Sequence, residues 1–196
     1  MTTRRPLISG NWKMHLNHLE AIQVVQKLSL LLAEMRRSDV DVSIHPPFTS
    51  LRSAQVVVEE ADATIHLGAQ NCYPAPQGAY TGEISPEMLA KLKVEYVIVG
   101  HSERRQILGE TDEFVRAKVD ILLAHNLVPI LCVGETLAER EAGVTADRVE
   151  SQIRAAFTGL TPDQAGRMVV AYEPIWAIGT GRNATPEDAE EVCGLI

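Results

Sequence analysis

Polar side chains that transfer protons or carry charge follow three of the apolar runs in this sequence. Asn11 and Lys13 come after the first run, His101 follows a central one, and Glu173 ends the last. In sheets of parallel strands, reactive groups collect where the strands end and their following loops begin. We therefore expect these residues to share one site, in which a histidine and a carboxylate perform general acid–base chemistry.

Lys13 has two interpretations from its position alone. A single lysine on a loop is most often a solvated charge, but an ammonium group also attracts an anionic substrate into a site. Glu103 is open in the same way, because it is placed either to orient Lys13 or to pair with Arg104 or Arg105. Since the net charge of the chain is −8, an anionic substrate would require local positive charge of this kind.

His101 follows Gly100 at the end of an apolar run, and Ser102 is placed to cap a short helix that starts at Glu103. The positive end of a helix disfavours the imidazolium form, so we expect a neutral ring. A neutral imidazole donates a hydrogen bond to a carbonyl oxygen on which charge develops. The alternative is a packed histidine whose hydrogen bonds are satisfied and which has no part in catalysis.

Glu173 is the candidate general base. It ends an apolar run and precedes Pro174, and a proline restricts both its own backbone and that of the residue before it. A carboxylate held in such a dry position is suited to accept a proton near neutral pH.

The connection from residue 174 to 184 is longer than the about two to six residues that usually join a strand to a helix. It combines apolar side chains, which we expect to be exposed, with glycines. This pattern indicates a lid that buries its apolar residues on closing and whose glycine amides are free to approach an anion. The apolar residues are Ile175, Trp176 and Ile178, and the glycines are Gly179 and Gly181.

The segment GTGRNA, residues 179–184, matches the G-x-G-x-x-A fingerprint of dinucleotide-binding proteins. Gly179 lies well beyond Glu173, where the apolar run ends, so the tight turn that the fingerprint requires is missing. We therefore expect no dinucleotide cofactor.

The composition argues against several classes of partner and location. A chain with 45% hydrophobic and 22% charged residues has an ordinary globular composition, and its charge of −8 disfavours nucleic acids and anionic membranes as non-specific partners. No apolar run approaches the roughly 20 residues of a membrane span. The N-terminal segment lacks the apolar region of a secretory signal. We expect a cytoplasmic protein.

The cysteines and histidines indicate neither a disulfide framework nor a metal site. The cysteines are odd in number, widely spaced and without a C-x-x-C pair, so we expect reduced thiols. His15 and His18 are spaced to share one helical face, but no third ligand follows at metal spacing. The cysteines are Cys72, Cys132 and Cys193.

Six short apolar runs alternate with amphipathic helical patterns along the chain. Several runs are nearly continuous in apolar residues, which is typical of parallel strands covered by crossover helices. Repeated units of this kind form either a doubly wound sheet or a (β/α) barrel, and the pattern leaves both open. The runs lie at 6–10, 40–45, 63–69, 94–100, 127–134 and 167–173.

Helix starts are marked by residues that cap helix N-termini through a side-chain oxygen. Three of them are strong signals, because an acidic or amide side chain follows at the third helical position. Two others are weaker. The strong caps are Asn17, Thr161 and Thr185, and the weak ones are Ser85 and Thr145.

Taken together, the motifs resemble the triosephosphate isomerase family. The matching segments are GNWKMH, GAQN, GAYTGEIS, VIVGHSERR, ILCVGE and AYEPIWAIGTG, in family order between residues 5 and 196. The resemblance implies an α/β fold of the TIM (β/α)8 barrel family with about six β-α units in this chain. We expect one incomplete domain, 1–196, with strands one to six, helices one to five and the start of helix six, from a longer enzyme.

The resemblance implies an isomerase that interconverts glyceraldehyde 3-phosphate and dihydroxyacetone phosphate in glycolysis and gluconeogenesis. Glu173 would move a proton between neighbouring carbons, and a neutral His101 would polarise the carbonyl and shuttle protons between oxygens. Lys13 would supply positive charge, and Asn11 and Trp12 would help to bind the substrate. No metal and no organic cofactor would be needed.

The resemblance also assigns supporting residues. Glu103 would pair with Lys13, and Gly179 would offer its backbone amide to the substrate phosphate. Thr81 would reach into a partner subunit, so a homodimer is implied. The lid would include Pro174, Ile175, Trp176 and Gly181.

Two other hypotheses remain at this point. One is a partial barrel without catalytic activity that serves as a binding module, and the presence of all the candidate residues does not favour it. The other is a different phosphosugar enzyme on the same scaffold, which would have to reuse every one of these motifs.

Overall fold

The computed structural model of the chain describes residues 4–35, 39–61 and 64–196. Each of the six apolar runs contains a strand, although Ala63, at the start of the third run, lies outside the described residues. The strands are β1 (Leu7–Asn11), β2 (Asp41–His45), β3 (Ile65–Ala69), β4 (Val94–Val99), β5 (Val128–Val133) and β6 (Val169–Tyr172). They form one sheet in the order β1-β2-β3-β4-β5-β6, which confirms the predicted α/β fold with about six units.

Helices connect the strands, and the connections from β4 to β5 and from β5 to β6 each hold more than one. None of the helices in the described ranges combines the length and hydropathy needed to cross a membrane. The helices are α1 (His18–Met35), α2 (Phe48–Glu60), α3 (Pro86–Lys91), α4 (Ser102–Leu108), α5 (Asp112–Ala124), α6 (Leu137–Glu141), α7 (Thr145–Phe157), α8 (Pro162–Arg167), a 3₁₀ helix (Ile175–Ala177) and α9 (Pro186–Leu195).

Four of the six predicted caps are confirmed, and those at Thr145 and Ser102 are not. Asn17 Oδ1 accepts hydrogen bonds from the backbone amides of the first turn of α1. Thr161 and Thr185 each form a reciprocal capping box, and Ser85 caps α3. The prediction for Thr145 is wrong by one residue, because Thr145 is the first helical residue of α7 and Val144 is the N-cap, with no side-chain oxygen to offer.

The chain forms two compact units. The first unit comprises the chain up to Val97 together with His125–Leu127, and the second comprises 98–124 and 128–196. In the first unit, β1 pairs in parallel with β2, β2 with β3, and β3 with the start of β4. Apolar faces of α1 and α2 form its core, with fully buried residues that include Ala21, Val25, Leu51 and Ala54. The expectation of a single domain stays a prediction.

In the second unit, β5 pairs in parallel with β6, and Ile130 to Val133 lie opposite Val169 to Tyr172. This register ends both strands at the same level, so that Gly134 and Glu173 leave the sheet side by side. The core of the unit includes one face of α5 and the interior of β5. Its buried residues include Val115, Val119, Leu122, Leu131 and Val133.

Candidate active site

A tight turn at Gly100 places His101 at the end of β4. Gly100 has a φ of +67°, a conformation that L side chains rarely adopt, and a Cβ there would lie 2.8 Å from the Arg105 guanidinium. Arg105 Nε donates a hydrogen bond to the Gly100 carbonyl at 2.7 Å, which holds this turn. His101 follows with only 7% of its surface exposed.

His101 itself caps α4, so the prediction that Ser102 is the cap is wrong. The helix begins at Ser102, and His101 Nδ1 accepts a hydrogen bond from the Glu103 backbone amide at 3.2 Å. An imidazole nitrogen has taken the place of the usual hydroxyl or carboxylate oxygen. Because a backbone N–H can only donate, Nδ1 carries no proton, and the ring is neutral with its proton on Nε2.

Glu173 meets this histidine directly. Its Oε1 lies 2.7 Å from His101 Nε2, and its Oε2 accepts a hydrogen bond from the Ser102 backbone amide at 3.0 Å. The Glu173 side chain is 14% exposed. Two of the predicted catalytic residues are therefore in contact, and the carboxylate is held by one imidazole donor and one helix N-terminal donor.

The end of β6 is held against the end of β5. The Glu173 amide donates to the Val133 carbonyl at 2.8 Å, which continues the parallel ladder by one residue. A Cβ on Gly134 would lie 1.9 Å from the Glu173 carbonyl oxygen, so only glycine permits this approach. Gly134 is therefore a structural requirement for the position of Glu173.

Cys132 lies beside Glu173 in the core of the second unit. Burial, and then the negative charge of Glu173, raise the pKa of the Cys132 thiol well above its usual value. The thiol is therefore protonated and acts as a small buried side chain. All three cysteines are free in the structure, with Cys193 exposed and the other two buried.

In the first unit, Asn11, Trp12 and Lys13 form a strained turn at the end of β1. Lys13 has a φ of +52°, and Asn11 Oδ1 accepts a hydrogen bond from its amide at 2.9 Å. Gln70 Nε2 donates to the carbonyls of Lys13 and His45, at 2.7 and 2.8 Å. A non-glycine residue held at positive φ by several hydrogen bonds is typical of a functional site. That these residues share a site with His101 and Glu173 stays a prediction.

The remaining residue assigned from the first unit is Thr81. It is exposed, next to Gly82 with a φ of +92°. In the loop before it, the rings of Tyr73 and Tyr80 pack with their centroids 4.2 Å apart. Its contact with a partner subunit stays a prediction.

Glu103 is half exposed, and its Oε2 lies 3.6 Å from His101 Nδ1. The neighbouring arginines pair elsewhere in the second unit: Arg104 with Glu110 at 2.6 Å, and Arg105 with Asp112 at 2.5 Å. The predicted pairing of Glu103 with Lys13 is not decided by these contacts and stays a prediction.

The segment 174–184 starts with a 3₁₀ turn that packs Trp176 inward. The prediction that Trp176 is exposed is wrong: the residue is 9% exposed, and its Nε1 donates to Glu135 Oε1 at 2.8 Å. A buried indole needs a partner for its N–H, and Glu135 supplies one. Ile178 is exposed, as predicted.

Glu135 is a residue that the sequence analysis missed. It is fully buried, and its Oε1 accepts hydrogen bonds from the Tyr172 hydroxyl at 3.0 Å and from Arg140 at 3.3 Å, in addition to Trp176. Burial and this hydrogen bond raise the pKa of Tyr172 far above its usual value. The available signal was position, because Glu135 follows the end of β5 as Glu173 follows the end of β6.

The glycines of the segment are exposed and in the left-handed region. Gly179 has a φ of +69° and Gly181 a φ of +78°, and a Cβ at either position would meet open space. Glycine is favoured at both positions because of the backbone conformation, since a Cβ would contact no neighbouring atom. Thr180 Oγ1 donates to the Trp176 carbonyl at 2.7 Å, which ties the middle of the segment to its start.

Comparison with known proteins agrees with this geometry. The profile of one protein family, triosephosphate isomerase, matches residues 6–196. The chain belongs to the triosephosphate isomerase family. The predicted resemblance is therefore confirmed over nearly the whole chain.

Relatives named triosephosphate isomerase give the same result. The protein of Streptomyces coelicolor is 54% identical over 196 residues, which cover 100% of this chain and 76% of the relative. The protein of Mycobacteroides abscessus is 50% identical over 194 residues, which cover 99% of this chain and 74% of the relative. That of Saccharopolyspora erythraea is 51% identical over 193 residues, with 98% and 74% covered.

Proposed function

We propose that this protein is a triosephosphate isomerase, which interconverts glyceraldehyde 3-phosphate and dihydroxyacetone phosphate in glycolysis and gluconeogenesis. The observation that carries the proposal is the pair formed by His101 and Glu173. A neutral imidazole with its proton on Nε2 faces a carboxylate at 2.7 Å, in a family of isomerases. Aldose–ketose interconversion needs one group that takes a proton from carbon and one that donates to oxygen.

In the proposed reaction, Glu173 takes a proton from the carbon next to the carbonyl and returns it to the neighbouring carbon. His101 Nε2–H donates to the carbonyl oxygen as negative charge develops there in the enediolate. Both groups must first leave each other, because each occupies the position that the substrate needs. No step requires a metal or an organic cofactor.

Residues of the first unit supply the charge in this proposal. Lys13 offers a cation to the substrate, and Asn11 and Trp12 help to bind it. The strained turn at Lys13 supports such a role, since several hydrogen bonds hold it in a rarely used conformation. Glu103 then acts as the partner that orients Lys13.

The segment 174–184 is proposed to be a lid. Its start consists of Pro174, Ile175 and Trp176. Its flexible part contains Gly179 and Gly181, because glycine has the widest range of backbone conformations. Gly179 donates its backbone amide to the substrate phosphate when the lid closes. Closure would exclude water from the enediolate, which strengthens every electrostatic interaction in the site.

The proposal includes a homodimer, with Thr81 reaching the partner subunit, and a cytoplasmic location. The exposed position of Thr81 supports the first of these. Sedimentation of the purified chain, compared with a Thr81→Arg variant, tests it. A dimer that Thr81→Arg converts to a monomer is expected, and a monomeric starting chain contradicts the dimer.

Isomerase activity of the purified chain tests the function, after expression in a host without its own triosephosphate isomerase. We expect turnover of glyceraldehyde 3-phosphate that Glu173→Ala abolishes. Glu190→Ala, which removes an exposed carboxylate on α9, is the matched control and should keep full activity. A folded chain without turnover would contradict the proposal and favour a binding module without catalytic activity.

A further inference from the structure

A single side chain, Arg140 on α6, contacts Trp176 near the start of the segment 174–184 and Asp188 in the first turn of α9, the helix that follows the segment. The inference drawn from it rests on the proposed function, in which this segment is a lid. Arg140 is 25% exposed, so most of its length is packed against neighbours. It takes no part in the proposed chemistry, and nothing in the sequence patterns singled it out.

At the start of the lid, Arg140 contacts both Trp176 and Glu135, whose carboxylate accepts the indole hydrogen bond of Trp176. Its guanidinium carbon lies 4.8 Å from the centroid of the Trp176 ring, within the range of a cation–π contact. Its NH1 donates to Glu135 Oε1 at 3.3 Å, and this is the oxygen that accepts the Trp176 indole N–H. The arginine therefore holds both the indole ring and its hydrogen-bond acceptor.

At the end of the lid, the other terminal nitrogen of Arg140 forms an ion pair with Asp188. Asp188 is the third residue of α9, and its carboxylate accepts the Thr185 amide at 2.8 Å in the capping box that starts the helix. Thr185 is the first residue after the lid. Arg140 is therefore fixed to the point at which the lid becomes helix.

Thr180 Oγ1 ties the middle of the segment to its start through the Trp176 carbonyl, and the Arg182 amide donates to Thr180 Oγ1 at 3.3 Å, but both bonds lie within the segment and do not reach α9. Gly179 and Gly181 are exposed and meet no neighbour at the Cβ position, and Arg182 has an exposed contact with Glu141 at 3.9 Å. An exposed ion pair at that distance contributes little. Without a link outside the segment, its two ends would fluctuate independently.

We propose that Arg140 is a positioning residue that couples the two ends of the lid, so that both leave α6 together. The planar guanidinium suits this role, because its fixed fork binds Glu135 and Asp188 at the same time while its face covers an aromatic ring. A lysine has no such fork. The start of the lid directly follows Glu173. Movement of the two coupled ends therefore also controls the release of the Glu173 carboxylate from His101.

Amide hydrogen exchange of Asp188→Asn tests the coupling without any substrate. The asparagine oxygen still accepts the Thr185 amide, so the cap is kept while the charge facing Arg140 is lost. We expect exchange of the Ala177 and Ile178 amides, at the opposite end of the lid, to rise about fivefold because local opening becomes easier. Arg140→Lys should raise exchange at both ends.

Arg154→Met is the matched control, since it removes an exposed arginine that pairs with Glu150 on α7. It should leave exchange in the lid unchanged. Denaturant unfolding of each variant shows whether the fold is kept. If Asp188→Asn speeds exchange only in the first turn of α9, with Ala177 and Ile178 unchanged, the two ends are independent and the proposal is wrong.

Steady-state kinetics give a second readout. Asp188→Asn should lower kcat about fivefold and change KM less, because the lid closes after the substrate has bound. An equal loss in the Arg154→Met control would contradict a specific role of Arg140. If the unmodified chain shows no isomerase activity while Asp188→Asn still speeds exchange at Ala177, the proposed function is wrong and the coupling is right.

Discussion

Two histidines, His45 in the first unit and His101 in the second, hold the same kind of position and carry opposite tautomers. Each follows or ends a strand, and each is almost completely buried. His45 Nδ1 lies 3.1 Å from the Ala69 carbonyl oxygen, which can only accept, so its proton is on Nδ1. His101 Nδ1 accepts the Glu103 amide, so its proton is on Nε2.

The second ring nitrogen, Nε2, has a different partner in each histidine. His45 Nε2 lies beside two hydroxyls, Ser9 Oγ at 2.9 Å and Ser43 Oγ at 3.2 Å. His101 Nε2 carries the proton and faces the Glu173 carboxylate. The comparison shows that the backbone group bound by Nδ1 decides whether the far nitrogen donates or accepts. A neutral histidine can donate to a developing oxyanion only when that nitrogen carries the proton and points toward the reacting oxygen.

The largest difference between the two histidines should appear in kcat when each is replaced in turn. His101→Gln removes the proposed donor to the carbonyl oxygen and should lower kcat about a thousandfold. His45→Gln, assayed well below its melting temperature, should change kcat less than about threefold. Activity assays on both variants check this, and an equal loss in the two would remove the distinction between them.

The pH dependence of stability should reveal His45. Burial lowers the pKa of His45 from 6.5 to about 4, while the hydrogen bond to Ala69 opposes this shift. The unfolded chain then binds more protons than the folded one between those values, so stability is complete above about pH 6.5 and falls as pH drops toward 4.

The expected loss from this group is about 3 kcal/mol, since each pKa unit corresponds to about 1.4 kcal/mol. Urea unfolding at a series of pH values should show it, and His45→Gln should lose that part of the pH dependence. The same acid slope in His45→Gln would show that other groups cause it.

Two glycines offer a steric version of the comparison. A Cβ on Gly68 would lie 2.1 Å from the His45 ring, and one on Gly134 would lie 1.9 Å from the Glu173 carbonyl. Either alanine should cost about 2 kcal/mol of stability through overpacking. Only Gly134→Ala should also reduce kcat, because it displaces the backbone of Glu173, the proposed general base.

Gly166→Ala is the control for both variants, because that glycine lies in α8 with open space around it. It should be neutral or slightly stabilising. Denaturant midpoints together with kcat decide the matter. A Gly68→Ala variant with normal stability and lowered activity would contradict the structural role assigned to His45.

The smallest effect is expected at the hydroxyl beside His45. Ser43 donates to Ser9, and Ser9 is placed to donate to the ring, so Ser9→Ala should cost about 1 kcal/mol of stability. Activity should not change. Denaturant unfolding and activity assays of Ser9→Ala and of Ser43→Ala would measure the loss of stability and any change in kcat. A clear fall in kcat would place this cluster in the catalytic machinery.

Much of the fold could be predicted from the sequence because its signals are local. Continuous apolar runs gave all six strands, and capping residues such as Asn17, Thr161 and Thr185 marked helix starts within one residue. The failed prediction at Ser102 shows the limit of local signals. Ser102 has the ordinary side chain for the task, but the turn at Gly100 brought His101 to the capping position first.

The contact between His101 and Glu173 was predictable because both residues stand where a strand ends. The roles of Glu135 and Arg140 were not, because they depend on how Trp176 folds back and on where α9 begins. Trp176 looked exposed since its loop position outweighed its need for a buried partner. His45 shows the opposite limit, because its local sequence resembles that of a catalytic histidine and only its neighbours tell it apart.

The most direct test of the account is the proton position on each ring, measured by long-range ¹H–¹⁵N correlation spectroscopy of the chain labelled at its 6 histidines. His101→Gln and His45→Gln assign the two signals at pH 7. The account predicts a neutral His101 with its proton on Nε2 and a neutral His45 with its proton on Nδ1. An imidazolium at His101, or a proton on its Nδ1, would contradict the proposed role of this residue as the neutral donor beside Glu173.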